Sequence, residues 1–312
     1  GNIVNYLQNS LAKKRLVHAY LFSGPLSVGK SMVADYFVRS LLCLDAGDGS
    51  SDCQCQSCQQ YKRNIHPDYF GLKLPSDKKN ISIEQIREWQ LALSRKPSLG
   101  QHKVGLIEGV ENLSIEASNA LLKTVEEPSA NTIIILLTHD SNLLLPTIIS
   151  RSQIIKFKKV NDRAISHFLD QQGIEHSEVN LITQLAQGLP GRAISYFKSN
   201  ELLAEKKQVI EDAIGLFQKP LDQRWSFLEE YLKGYEGVAK SKQAQIIVDD
   251  LLLIYREIYL MKNNNTDCQY LSHWQDNLRG IVEQYSWQKL LLIGDKIFYI
   301  KNKWLYNPNP RL

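Results

Sequence analysis

"AYLFSGPLSVGKS", Ala19 to Ser31, decides the fold of this chain. Its first five residues are an apolar run of strand type, and Gly24 to Ser31 match G-x-x-x-x-G-K-[ST] in full. The stretch that follows, "KSMVADYFVRSLLC", carries apolar side chains at helical spacing. A strand that turns through such a loop into a helix makes a phosphate cradle. The glycines let the backbone curl so that its N–H groups face phosphate oxygens, and the helix N-terminus adds partial positive charge. Lys30 is then placed for the β- and γ-phosphates, and the Ser31 hydroxyl for magnesium. Gly24, Pro25, Ser27, Gly29, Lys30 and Ser31 are the candidate nucleotide-binding residues of this loop.

Outward from the loop, "DYFGLKL", "KVGLIE" and "NTIIILLT" read as three further strands. Between them lie "SIEQIREWQLALSRK", with Ser82 and Gln85 spaced as a capping box, and "SIEASNALLKTVEEP", stopped by Pro128. Unalternating strands rich in Ile, Leu and Val, separated by helices, predict a parallel sheet covered on both faces. Beyond about Phe157 the strand signals stop. Three short helices are expected in "DRAISHFLDQQG", "EVNLITQLAQG" and "GRAISYFKSN", then longer ones in "KQAQIIVDDLLLIYREIYLMK" and "SWQKLLLIGDKIFYIKNKW", with "NNNTD" (Asn263 to Asp267) as a loop. The expected layout is an α/β domain over 1–160, a small helical lid over 161–207 and an all-helical domain over 208–312.

The bulk numbers agree with that layout. A chain of 312 residues is long enough for two or three cores. It is 43% hydrophobic and 22% charged, and its net charge of +4 is too small to argue for nucleic acid by itself. No apolar run reaches membrane-spanning length, and "GNIVNYLQNSLAKKRL" lacks a signal-peptide pattern, so a cytoplasmic location is expected.

The third strand raises a question about chemistry. Glu108 stands at its end, where a magnesium-side carboxylate belongs, but the next position, usually an acid that works on the attacking water, is Gly109. A positioned general base is worth about 10²- to 10⁴-fold in rate. Glu111 follows two residues later, beyond the expected strand end, and is not expected to substitute. The residues therefore predict a site that binds ATP (or ADP) and scarcely hydrolyses it; the other reading of "EGVEN" is a polar turn closing a strand. Thr138, at the end of the fourth strand, is placed to sense a γ-phosphate. Arg151, in "PTIISRSQ", is presented between two serines, as an arginine that completes a neighbour's phosphoryl-transfer site would be. Arg192, in "GLPGRAIS", opens a helix and can point back at phosphates.

Cys43, Cys53, Cys55 and Cys58 crowd into one insert, and Cys268 stands alone. Four thiolates at such spacing suit one closed tetrahedral zinc, structural rather than catalytic. His66, in "IHPDYF", is either a spare ligand or, more in keeping with a histidine before proline, the cap of a turn.

Together, "HAYLFSGPLSVGKS", the cysteine insert, "HPDYF", "NALLKTVEEP" and "TIISRSQ" resemble the clamp-loader subunits of bacterial DNA polymerase III, the delta-prime type above all, over about Asn5 to Arg192. The resemblance implies an AAA+ domain, a helical lid and a C-terminal collar. Its implied partners are gamma/tau-like ATPases and delta in a five-membered ring that places a sliding clamp on primed DNA. It carries the arginine-finger role to Arg151, flanked by Ser150 and Ser152, the sensor role to Arg192, and structural zinc to the four cysteines. It places Lys96 and Lys123 near DNA phosphates. It implies a polymerase holoenzyme component without independent ATPase activity; a gamma-like hydrolysing subunit of the same ring is the alternative.

Overall fold

The structure is a computed structural model that describes residues 2–45, 53–75, 78, 80–264, 268 and 270–306. Residues 46–52 of the cysteine insert and 265–267 of the expected "NNNTD" loop therefore lie outside the described residues. Chain contacts divide the protein into two units, Gly1–Lys159 and Val160–Leu312.

The first unit holds five parallel strands: β1 (Ala19–Ser23), β2 (Tyr69–Lys73), β3 (Lys103–Glu108), β4 (Thr132–Thr138) and β5 (Gln153–Lys156). Their order is β2-β3-β4-β1-β5. Around them run α1 (Asn2–Ala12), α2 (Lys30–Leu42), α3 (Gln56–Lys62), α4 (Ile83–Leu93), α5 (Ile115–Glu126) and α6 (Pro146–Ser150). Every residue of β1 and β4 is buried, which explains their continuous apolar sequence. Alternation then assigns the faces. Leu21, Ile134 and Leu136 share a core with Ile86 of α4 and Leu121 of α5. Tyr20 points the other way, its ring 5.1 Å from that of Phe37 on α2. Burying each such side chain stabilises the fold by about 1.5–3 kcal/mol.

The expected helix starts are present. Ser82 and Gln85 form the reciprocal capping box of α4, and Ser114 caps α5. Strand β5 was not expected. It is four residues long, lies at the sheet edge and is exposed at both ends, so its sequence lacks the buried run that marks β1 and β4. Its pairing with β1, Tyr20 opposite Gln153 to Ser23 opposite Lys156, is what makes it a strand.

The second unit is helical: α7 (Asp162–Asp170), α8 (His176–Ala186), α9 (Pro190–Lys198), α10 (Asn200–Leu216), α11 (Leu221–Tyr231), α12 (Gly237–Asn264), α13 (Gln275–Gln284) and α14 (Trp287–Tyr306). One buried cluster runs through it, from Ile165 and Leu185 through Ile210 and Ile254 to Leu278 and Leu290. An ion pair between Lys206 of α10 and Asp250 of α12 lies within it, both side chains largely buried. Helix α12 continues through Asn264, which takes the first two residues of the expected loop into the helix. The class is thus a parallel α/β domain with helices on both faces, followed by helices. Among the described residues no helix is long and apolar enough to cross a membrane.

Candidate nucleotide site and cysteine cluster

A parallel sheet collects its loops at the C-terminal ends of the strands, which is where such folds bind ligands. The loop after β1, the residues after β3 and the end of β4 meet there. Ser23 lies opposite Thr138, and the Gly24 N–H donates to the Thr138 carbonyl at 3.3 Å. The loop needs left-handed backbone at two points, Ser27 with φ 60° and Gly29 with φ 101°; the glycine takes its conformation without the Cβ penalty. Helix α2 begins at Lys30, so its free N–H groups face the loop interior. The Lys30 ammonium is buried and donates to the carbonyls of Gly24 (2.5 Å) and Pro25 (2.8 Å). Pro25 thus serves the loop through its carbonyl. Burial pushes the Lys30 pKa down, and the negative charge of Glu111 partly restores it.

Thr138 is buried, donates from its hydroxyl to the Asp140 carbonyl at 2.9 Å and accepts from the Asp140 N–H at 3.2 Å. Glu108 lies where the sequence places it, at the end of β3, but its carboxylate is 3.1 Å from Lys73 Nζ on β2, its register neighbour. Gly109 has φ 74°, where any side chain is strained, and a Cβ there would sit 2.5 Å from Asn112 Nδ2, so an acid at this position would also have to displace the Asn112 amide.

Glu111 is the residue that sequence reasoning dismissed. Its side chain is only 7% exposed, and His139 Nδ1 donates to its Oε1. Among the described residues Glu111 Oε2 is buried with no hydrogen bond of its own, the nearby Thr138 hydroxyl donating instead to the Asp140 carbonyl. Burial raises its pKa, but the hydrogen bond from His139, the local backbone and Thr138 outweigh that and hold it below the usual glutamate range. The same hydrogen bond raises the His139 pKa, against the opposing effect of burial. The available signal was a second acid close behind a strand that had lost its first; what hid it is that His139 is 28 residues away in sequence.

Arg151 caps the C-terminal end of α6, whose first residue is Pro146. Its Nε is 3.1 Å from Glu126 Oε1 at the end of α5, and with 43% of the side chain exposed the guanidinium remains accessible to another molecule. Ser150 and Ser152 turn their hydroxyls inward to the Thr147 and Ile148 carbonyls. Arg192 stands in the second unit, in the first turn of α9; burial raises the pKa of nearby Asp250, against the opposing charges of Lys206 and, less, Arg192. Lys96 and Lys123 are exposed.

The four cysteines converge between two helix ends. Cys43 caps the end of α2, and Cys55 caps the start of α3, its sulfur accepting from the Cys58 N–H at 3.4 Å. All four sulfurs lie within 4.8 Å of one another; Cys43 Sγ is 3.6 Å from Cys53 Sγ and 4.0 Å from Cys55 Sγ. Tetrahedral thiolates about 2.3 Å from zinc stand roughly 3.8 Å apart, so the donor set fits that ion. His66 is outside it. The Asp68 N–H donates to His66 Nδ1 at 3.0 Å, so Nε2 carries the proton and donates to Ser57 Oγ at 2.7 Å. It fastens the turn beneath α3, as a cap rather than a ligand.

The family described as DNA polymerase III, delta subunit, matches residues 1–161 of this chain. The chain belongs to that family. Within it the chain is of the bacterial clamp-loader delta-prime type. DNA polymerase III subunit delta' of Pseudomonas aeruginosa is 39% identical over 134 residues, which are 43% of this chain and 41% of that protein. The match therefore spans about two-fifths of that relative's length. Subunit delta' of Bacillus subtilis is 27% identical over 85% of this chain and 78% of its own length. Subunit tau of the same organism is 31% identical over 84% of this chain and 49% of its own length.

Proposed function

We propose that the chain is a delta-prime-like subunit of a DNA polymerase III clamp loader, binding ATP with little or no hydrolysis and lending Arg151 to a neighbouring ATPase subunit. The observation that carries this reading is Gly109. It leaves the position of the general base without a side chain, on left-handed backbone that disfavours one, while the phosphate loop keeps the full G-x-x-x-x-G-K-[ST] pattern. Arg151 supports the second half, since an exposed guanidinium at a short helix end is free to reach outward. In this reading the helices over 161–207 act as a lid and those over 208–312 as a collar. The collar joins gamma/tau-like and delta subunits in a ring of five around primed DNA, where Lys96 and Lys123 meet phosphates, to load the sliding clamp. The cysteine cluster holds a structural zinc, and a magnesium ion accompanies the nucleotide through Ser31. Thr138 and Arg192 act as the sensors of the nucleotide's phosphates.

The test is reconstitution with gamma/tau-like and delta partners. Arg151→Ala is expected to depress the partners' hydrolysis by about 10³-fold or more where the finger acts, with the ring still assembled. An unchanged rate removes Arg151 from the mechanism. The second reading, a gamma-like hydrolysing subunit, is favoured by one observation, the buried Glu111 carboxylate within electrostatic reach of Lys30.

A further inference from the structure

Two acids follow one another at this end of the sheet, Glu108 at the end of β3 and Glu111 in the turn beyond it. Glu108, in the expected position, is held by Lys73 in a half-exposed ion pair at the sheet edge. Exposed pairs of this kind contribute little, about 0–1 kcal/mol, and serve mainly to point the side chain. Glu111 comes from the turn that follows β3, which the carbonyl of Leu137 ties to β4 by accepting from the Gly109 N–H at 2.9 Å. The peptide after Leu137 is Thr138, whose carbonyl receives the first N–H of the phosphate loop. Glu111 and the loop thus share one support, the end of β4. One oxygen of Glu111 is fixed by His139; the other is buried and unpartnered.

An unpartnered buried carboxylate oxygen is costly, more than the 1–3 kcal/mol of a neutral polar group. Such a group is retained where it meets a donor or a cation in the working state. The charge of Glu111 also acts on Lys30, the buried ammonium that donates to the Gly24 and Pro25 carbonyls of the loop. A phosphate chain drawing Lys30 away from the Gly24 and Pro25 carbonyls brings negative charge beside Glu111. A divalent cation between the two anions would relieve their repulsion beyond what His139 and Lys30 supply.

We propose that Glu111, rather than Glu108, is the carboxylate that answers to a divalent cation arriving with the nucleotide, and that His139 is its positioning residue. The proposal rests on the nucleotide-binding reading above and deepens it. It gives the site a cation-holding acid without giving it a base at position 109.

The experiment is a titration of the full chain with a fluorescent ATP analogue, in magnesium and in chelator, read as the ratio of the two dissociation constants. The unmutated chain is expected to bind more tightly with magnesium. Glu111→Gln should lose about 10-fold or more of that tightening, as removal of a cation's supporting groups does. It should bind slightly better in chelator, having lost a repulsive charge. Glu108→Gln should keep the unmutated ratio. His139→Gln, at a more exposed position, should lose part of the ratio and serves if Glu111→Gln does not fold. A normal ratio in Glu111→Gln, or in His139→Gln where only that variant folds, overturns the proposal alone. Loss of the ratio in Glu108→Gln with retention in Glu111→Gln assigns the cation to Glu108. No binding by the unmutated chain in either condition overturns the nucleotide reading itself, and this proposal with it.

Discussion

The phosphate loop and the acid cluster stand side by side at the same edge of the sheet, yet they are encoded in opposite ways. Gly24–Ser31 is eight consecutive residues whose geometry follows from their own order: a strand end, a left-handed glycine and a helix start. The acid cluster is drawn from three segments, with Glu111 from the turn after β3, His139 from beyond β4, and Lys30 from α2. A motif of consecutive residues survives in the sequence as a pattern. A cluster assembled by tertiary structure does not, because its members meet only through the register of parallel strands.

The comparison is most easily broken at the loop. Lys30→Ala removes the one buried ammonium there, and charge-assisted hydrogen bonds are worth about 1.5–3 kcal/mol each, so binding of an ATP analogue should weaken by at least about 10-fold. Calorimetric titration checks it. Binding that survives unchanged would mean that the loop is a glycine turn whose pattern misleads.

Gly109→Glu asks whether the acid side can be repaired locally, as the loop could be. It is expected to cost about 1–3 kcal/mol of stability, because the left-handed backbone penalises any Cβ and Asn112 occupies the space. Denaturant unfolding measures this. A stable Gly109→Glu chain that hydrolysed ATP briskly would show that one residue, and not the surrounding architecture, had been lost.

The smallest effect concerns the other site spelled out by a compact stretch, the cysteine cluster. His66 is buried, neutral and accepting from the Asp68 N–H, and burial lowers its pKa against the opposing pull of Asp68. A depressed folded-state value means that its contribution is complete above the ordinary histidine pKa of about 6.5 and is lost as pH falls through the folded value. Melting temperature should therefore fall by a few degrees between neutral and mildly acidic pH, with a weaker dependence in His66→Gln. An identical pH profile in the variant would assign the effect to other groups.

Much of the fold was legible for the same reason as the loop. β1, β3 and β4 are continuous apolar runs because helices bury both faces, and α4 announces itself by Ser82 with Gln85. The edge strand β5 was invisible because only its partner makes it a strand. Among the site residues, the phosphate loop and the four cysteines carry their spacing in the sequence. Glu108 was legible in place but not in contact, since Lys73 lies on another strand. The surroundings of Glu111 were not legible, because His139 and Lys30 reach it from other segments.

In the proposed function this site holds phosphate but lacks the residue that attacks it. The measurement that tests this most directly is bound nucleotide and released phosphate followed on one sample of the purified chain, with and without primed DNA. The account predicts saturable binding of ATP with phosphate release no faster than background in both conditions. DNA-stimulated turnover that disappears in Lys30→Ala would contradict it.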